Sequence, residues 1–351
     1  MAFLVRSRRD DAPSGEVATP PPPVETWEQP LRQAVGELVG TDPARLGTPT
    51  PLPHGYGPWA FDVGGATVRL APGRDELERE VAAIAHNRRH GLGAPTVLGI
   101  VELDVDVDGA RWALVTEATT QVPLPDLIGF NLHHSNALLT GFAAHHHAIH
   151  SLPAAQVDEL LAGGAVPRID PAAELARIDA DRFPAEVAWL VEHVPSPEPP
   201  VLCHGGYQPL ATFGPPPEEW DAHGGPGTGL TVVNWSAAVL AEVAYDVAFT
   251  LVAFWSAPYF APNRSERTAI KMIRNTLLNT YKQGYAACAT VDLDRLRYWQ
   301  AFHALRGQAR LTGAYDADGS PFAAPDRGAV PTDLEPELAR LFRQLTRVRP
   351  R

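Results

Sequence analysis

The sequence predicts an α+β, bilobal chain: a small lobe of sheet plus one important helix over about residues 27–118, then a large, mainly helical lobe over about 119–345. Three observations carry this expectation. A strand pair with glycines in its turn occupies 51–70, an amphipathic helix follows it directly, and a further strand stands at 111–117.

Residues 1–26 come first. From Arg6 to Thr26 this segment mixes charges with Pro20 to Pro23 and carries too little apolar surface to offset its ordering entropy, so a flexible N-terminal tail is expected. A helix follows from about Trp27 to Val39. Pro51 to Val63 and Thr67 to Leu70 form the strand pair, with Gly55 and Gly57 in its turn. Asp75 to His90 places Leu77, Val81 and Ile84 on one helical face, and Gly91 to Pro95 closes that helix before a new strand. Arg111 to Glu117 is a strand, and Leu138 to Pro153 a long helix. No internal repeat is visible.

Composition excludes several functions. At 351 residues the chain is long enough for one bilobal unit or two domains, with apolar content enough to bury a core. Its formal charge of -12 argues against nucleic acid or an anionic membrane as partner, because such binders neutralise phosphate with basic clusters. Cys203 and Cys288 are the only cysteines and suggest neither a metal knuckle nor a disulfide scaffold. No apolar run is long enough to cross a bilayer. The start, Met1 to Arg9, has basic residues without a following hydrophobic segment of the signal-peptide kind, so the cytoplasm is the default location.

The segment Leu202-Cys203-His204-Gly205-Gly206-Tyr207-Gln208-Pro209-Leu210-Ala211-Thr212-Phe213, with Val233-Asn234-Trp235 downstream, carries the functional signal. Phosphoryl transfer needs a carboxylate to orient the attacking hydroxyl, and an Asn and an Asp to hold magnesium against the phosphates. The segment resembles the catalytic loop of the aminoglycoside phosphotransferase and choline-kinase-like family, whose pattern reads His-Gly-Asp-x-His-x-x-Asn, followed by Ile-Asp-Trp. His204 and Gly205 match it. Gly206 stands where the resemblance places the catalytic Asp, Ala211 where it places the metal-binding Asn, and Asn234 where it places the metal-binding Asp. Asp246 falls, without a gap from Trp235, on the family's structural Asp, which braces the loop and does not react.

The resemblance spans about residues 30–312 and implies a protein-kinase-like fold. It places Gly55 and Gly57 in a loop over the phosphates and Arg69 as the basic residue of the third strand. Glu80 would pair with Arg69, and backbone groups of Thr116, Glu117 and Ala118 would meet an adenine. Arg69 is the sole basic candidate on that strand, since Lys271 and Lys282 are the only lysines, and a guanidinium can clamp phosphate bidentately. For Arg69 and Glu80 the plain alternative is a surface ion pair worth little. ATP or another nucleotide is the implied ligand, with magnesium bound weakly or not at all.

Removing a general base commonly costs about a hundredfold to ten-thousandfold in rate, or roughly 3 to 5 kcal/mol. Here both protein ligands of the metal are altered as well, and a neutral Asn oxygen is a poor ligand for a hard cation. The expectation is therefore a pseudo-phosphotransferase that binds or regulates. Two alternatives stand beside it. One is an active kinase for an amino-sugar, amino-alcohol or antibiotic, or other cleft chemistry, rescued by non-standard residues. The other is a protein-interaction module with an empty cleft, favoured if Trp59 fills the nucleotide site instead of joining the core. Partners would be a small polar metabolite, a nucleotide or a protein.

The rescue would come from Gly214 to Gly229, a Gly/Pro-rich insertion expected to be too irregular for strand or helix. Glu218, Glu219, Asp221 or His223 would have to enter the cleft; the plain alternative is a tolerated surface insertion. His146 and His150 share a helical face at the i, i+4 spacing of some zinc sites, but no general-base Glu lies between them, so packed or solvent-facing histidines are expected. His204 is expected to hold the loop's shape, with a role as base near neutral pH as the alternative.

Overall fold

The structure is a computed structural model that describes residues 27–52, 59–107, 110–261, 263–316 and 332–348. The N-terminal tail and the turn glycines Gly55 and Gly57 lie outside the described residues. The chain opens with α1 (Glu28–Val39), β1 (Thr50–Pro51), β2 (Ala60–Val63), β3 (Ala66–Ala71), α2 (Arg74–Arg89), β4 (Val97–Val107) and β5 (Ala110–Glu117). It continues through β6 (Val122–Pro123), α3 (Leu124–Phe130), α4 (Ser135–His150), α5 (Ala154–Gly163), α6 (Pro171–Leu175), α7 (Pro184–Glu192), β7 (Val201–Cys203), β8 (Thr212–Gly214), α8 (Trp220–His223) and β9 (Thr231–Val232). It ends with β10 (Val239–Ala241), α9 (Val243–Ser256), α10 (Arg264–Ala286), α11 (Leu293–Leu311) and α12 (Glu335–Thr346).

Two compact units form. Among the described residues the first comprises 27–138 and 209–236, and the second 139–208, 237–316 and 332–348. This division departs from a boundary at residue 118. The cause is local: β8 pairs with both β6 and β9, Gly93 bridges to Thr231, and these ties draw 209–236 into the first unit.

In the first unit a five-stranded sheet runs β1-β2-β3-β5-β4, and each of its named pairs is antiparallel. Successive strand residues face opposite sides of a sheet. Ala66, Val68 and Leu70 of β3, with Ala113 and Val115 of β5, therefore share one face and pack with Trp27, Leu31 and Val35 of the α1 region. The Trp27 and Phe61 rings meet at 4.9 Å between centroids. Trp59 packs against this same core. The intervening residues Thr67, Arg69, Leu114 and Thr116 face the other way, and the register sets Thr67 opposite Thr116 and Arg69 opposite Leu114.

Helix α2 lies against β3, β4 and β5. Leu77 and Ile84 are buried as the periodicity predicts, Val81 is only half-buried, and Ala83 takes a buried place instead. Its end is capped by Gly91 at φ 71, a left-handed conformation that glycine adopts at little cost. The Leu92 and Gly91 N–H groups then donate to the carbonyls of Asn87 and Arg88, both at 3.0 Å.

The stretch 214–229 is more ordered than its composition predicts. It contains α8 and a single 3-10 turn, Pro217–Glu219. The reason is Trp220, which is buried, donates from Nε1 to the Pro215 carbonyl at 3.0 Å and meets the His134 ring edge-on.

The second unit is helical apart from the β7–β10 ladder, which pairs Cys203 with Val239. Helix α9 is buried along most of its length and packs on α11, which in turn packs on α12. Among the described residues no helix is long and apolar enough to cross a membrane.

Truncating a large ring in the first unit's core leaves a cavity that costs about 3–5 kcal/mol. Trp27→Ala should lower stability by that much in urea unfolding, while Met272→Ala, at a residue 78% exposed, should stay within about 0.5 kcal/mol.

Candidate functional site

The sheet face opposite α1 opens into a cavity of about 270 Å³. Thr67 and Arg69 of β3, Thr116 and Glu117 at the end of β5, and Ala118 beyond it contribute to its wall. Glu80 enters from α2 and Asn234 from the turn after β9.

Arg69 and Glu80 are buried, so they are not a surface pair. Nε of Arg69 donates to Oε2 of Glu80 at 2.6 Å, and its NH2 group contacts the same oxygen. NH1 of Arg69 donates to Glu76 Oε1 at 2.8 Å. Burial pulls the Arg69 guanidinium down, but Glu80 and Glu76 more than offset that and hold it above its ordinary value. The remaining oxygen of Glu80, Oε1, accepts the backbone N–H of Trp235 at 3.1 Å. Arg79 adds a bond of 3.2 Å to the Ser236 carbonyl. Helix α2 thus fixes both the third strand and the 234–236 turn.

That turn presents Asn234 in the left-handed region, at φ 61. Its Oδ1 accepts the Ser236 hydroxyl at 2.7 Å. Ala211 is fully buried, and its carbonyl accepts the Val233 N–H at 2.9 Å.

The second unit holds the loop that follows β7. Asp246, on α9, is fully buried and accepts four hydrogen bonds. Oδ2 takes the His204 N–H at 2.6 Å, His146 Nε2 at 3.1 Å and His150 Nε2 at 3.3 Å; Oδ1 takes the Gly205 N–H at 3.0 Å. Each Nε2 faces a carboxylate oxygen and so carries a proton. On the other side of each ring, Nδ1 of His146 meets the Tyr281 hydroxyl and Nδ1 of His150 the Tyr285 hydroxyl, both at 2.7 Å. Burial alone would raise the Asp246 carboxyl, but the bonds from His146 and His150 outweigh it and hold the group well below the carboxylate range. Burial and then His150 push His146 down to about 3, so this histidine is a neutral donor.

His146, His150 and Asp246 form the set whose ligand atoms lie within 4.8 Å of one another, close enough to surround a metal ion. Hydrogen bonding already accounts for every proton and lone pair that this arrangement uses. The histidines are packed, and they hold Asp246.

Gly205 adopts φ 73, and a Cβ there would come within 1.9 Å of the Ala237 carbonyl oxygen, so only glycine fits. Gly206 differs: a Cβ would meet His204 at 3.6 Å, an ordinary contact, so a Cβ is tolerated there. His204 is fully buried and its Nδ1 accepts the Gly206 N–H at 3.2 Å. Tyr207 fixes the loop's exit, donating to the Phe142 carbonyl at 2.7 Å and stacking on His146 at 3.8 Å.

No family model matches the sequence, and no curated protein matches it. Solved structures do. A thermostable mutant of aminoglycoside phosphotransferase APH(4)-Ia matches with a TM-score of 0.56 at 17% identity, over 89% of this chain and 98% of that one. The GDP complex of an aminoglycoside 2'-phosphotransferase variant gives 0.56 at 13%, over 90% and 96%. Choline kinase LicA from Streptococcus pneumoniae gives 0.54 at 11%, over 91% and 98%. The chain has the protein-kinase-like fold.

The structure brings Arg69, Glu80, Thr116, Glu117, Ala118 and Asn234 together around one cavity. Glu218, Glu219, Asp221 and His223 are exposed, and none lines the cavity; Glu219 and His223 approach each other at 3.8 Å. Two features escaped notice. Glu76 precedes Glu80 by one helical turn, and Tyr281 precedes Tyr285 as His146 precedes His150. These i, i+4 spacings were visible, but the pairing of helices 135 residues apart was not.

Acid should unfold this protein early. A carboxylate held below its unfolded value adds stability present above that value and lost as pH falls. A histidine held neutral adds stability that is lost as pH falls from 6.5, because the unfolded chain takes up the proton first. For His146 the window runs from 6.5 to about 3, and for His145, lowered by burial and then His204, from 6.5 to about 4. Each contributes a slope of about 1.4 kcal/mol per pH unit. Urea unfolding at pH 7.5, 6 and 5 should show falling stability, with a shallower slope for His146→Gln. Asp246→Asn sets an amide against four donors and should cost more than about 3 kcal/mol at pH 7.5.

Proposed function

We propose that this protein binds a small ligand on a phosphotransferase-type scaffold and has lost ordinary ATP- and magnesium-dependent phosphoryl transfer. One observation carries the reading: the Asp246 brace around His204 and Gly205 is complete, while Gly206, Ala211 and Asn234 stand where the resemblance places base and metal ligands. Magnesium prefers several hard oxygens in a strict octahedron. Ala211 offers none from its side chain, and the single neutral oxygen of Asn234 already accepts from Ser236. The donor set does not fit the ion.

The alternatives lack support. The carboxylates of 214–229 are exposed away from the cavity wall, which weighs against rescue, and Trp59 packs on the first unit's core, which weighs against a filled site. A neighbour of the same fold is described as a GDP complex, which supports a nucleotide-like or smaller ligand.

The test is turnover. With ATP and magnesium, and a panel of aminoglycosides and amino-alcohols, phosphate transfer should stay at background. Gly206→Asp meets no clash at its Cβ; combined with Ala211→Asn and Asn234→Asp it should raise transfer by about a hundredfold or more if the loss is local. Transfer by the unaltered chain would refute the proposal.

A further inference from the structure

We propose that the outer face of α10 docks an acidic segment of a partner protein, with carboxylates on a row of cations and an apolar side chain on Met272. The inference stands on the second unit alone and does not depend on the binding role proposed above.

Incomplete burial carries the first step. An amphipathic helix of a folded domain ordinarily buries one stripe along its length. The 23 residues of α10 bury only Tyr281, Gly284 and Tyr285, all in its last two turns. Before them Ile270 and Leu277 are half-buried, while Met272 is 78% and Ile273 41% exposed. The first turns of α10 thus keep a face that nothing among the described residues covers.

Charge carries the second step and gives the partner its chemistry. Arg264, Arg267, Lys271 and Arg274 recur at spacings of three and four, so they share one side of the helix. The only carboxylate of α10, Glu266, is turned back on the N-cap, where it accepts from Asn263 Nδ2 at 2.8 Å. In a chain of net charge -12 this row is a local reversal of sign.

Neighbouring carboxylates answer the row only in part. Arg267 pairs with Asp333, and Glu337, which also acts on Arg274, pairs with Arg340. Lys271 and Arg274 rest on rings instead: Nζ of Lys271 lies 4.7 Å from the Tyr259 centroid and Cζ of Arg274 3.8 Å from that of Trp255. NH1 of Arg274 also reaches the Trp255 carbonyl at 3.4 Å. A ring face steadies a cation without cancelling its charge. Among the described residues neither cation makes an ion pair, and Lys271 is exposed, so both can meet a carboxylate from outside.

Size separates a protein segment from other anions. At about 1.5 Å per residue the row is roughly 15 Å long, which an extended segment of about five residues spans. Charges beyond about 10 Å are screened at ordinary ionic strength, so a short segment meets only the local positive field. A bilayer or a nucleic acid extends past the row to a chain that is acidic elsewhere. A bilayer would also need a broad apolar face to enter, and α10 exposes only Met272 and Ile273 among its large hydrophobic side chains. Methionine adapts its shape readily to an apolar partner side chain.

Fluorescence anisotropy of the full chain tests this with a labelled peptide of four Glu-Glu-Leu repeats and with the same peptide carrying Gln for Glu. The Glu peptide should bind, weakening about tenfold or more between low salt and about 200 mM, and the Gln peptide should not. Lys271→Glu should weaken binding about tenfold or more. Arg111→Glu makes the same change of charge at an exposed residue of the first unit and should leave binding within about twofold. Met272→Ser should weaken binding about threefold or more, and all three variants should keep the melting temperature within a few degrees. No binding of the Glu peptide, equal binding of the Gln peptide, or an equal loss in Arg111→Glu would overturn the inference. Tighter binding to phosphatidylglycerol vesicles, or self-association that Lys271→Glu abolishes, would overturn it too, by giving this face a different occupant.

Discussion

A carboxylate without exposed surface stays charged only where donors replace its water, and Asp246 is held by four of them. Two are backbone N–H groups of the loop after β7 and two are imidazole Nε2 groups on α4. Behind those imidazoles, α10 sets the Tyr281 and Tyr285 hydroxyls against the Nδ1 atoms at matching spacing. The single charge on α9 therefore organises two histidines, the register of α10 against α4, and the shape of the loop. Removing the charge would leave a row of buried donors with nothing to accept them.

Glu80 plays the corresponding part in the first unit, with a different consequence. One oxygen holds Arg69 and the other holds the Trp235 N–H, so strand, helix and turn share one group. With Glu76 added, each of the three guanidinium nitrogens of Arg69 meets a carboxylate oxygen, which makes this wall rigid.

Local patterns made much of this legible. Alternation in β3 and β5 separates Val68 and Leu70 from Thr67 and Arg69, and helical spacing brings Glu80 to the same side. What stayed hidden was contact between distant segments. Nothing near Asp246 in sequence announces His146 or Tyr281, and Gln121 is unremarkable until its amide is seen fixed by Gly229. The stretch 214–229 misled because its glycines and prolines outweighed Trp220, whose burial orders it. Strand pairing across β6, β8 and β9 likewise joins residues that sequence order separates.

Gly206, Ala211 and Asn234 share a physical property. At each, the backbone serves the fold: Gly206 donates its N–H to His204, Ala211 accepts from Val233, and Asn234 occupies a left-handed turn that an Asn tolerates as readily as an Asp. Side chains there are free to change without touching the brace. Asp246, Glu80 and Gly205 have no such freedom, because a carboxylate with buried donors or a glycine against a carbonyl cannot be exchanged without an unpaired group or a clash. Positions that act through their backbone and positions that brace the loop through a side chain therefore come under separate physical constraints.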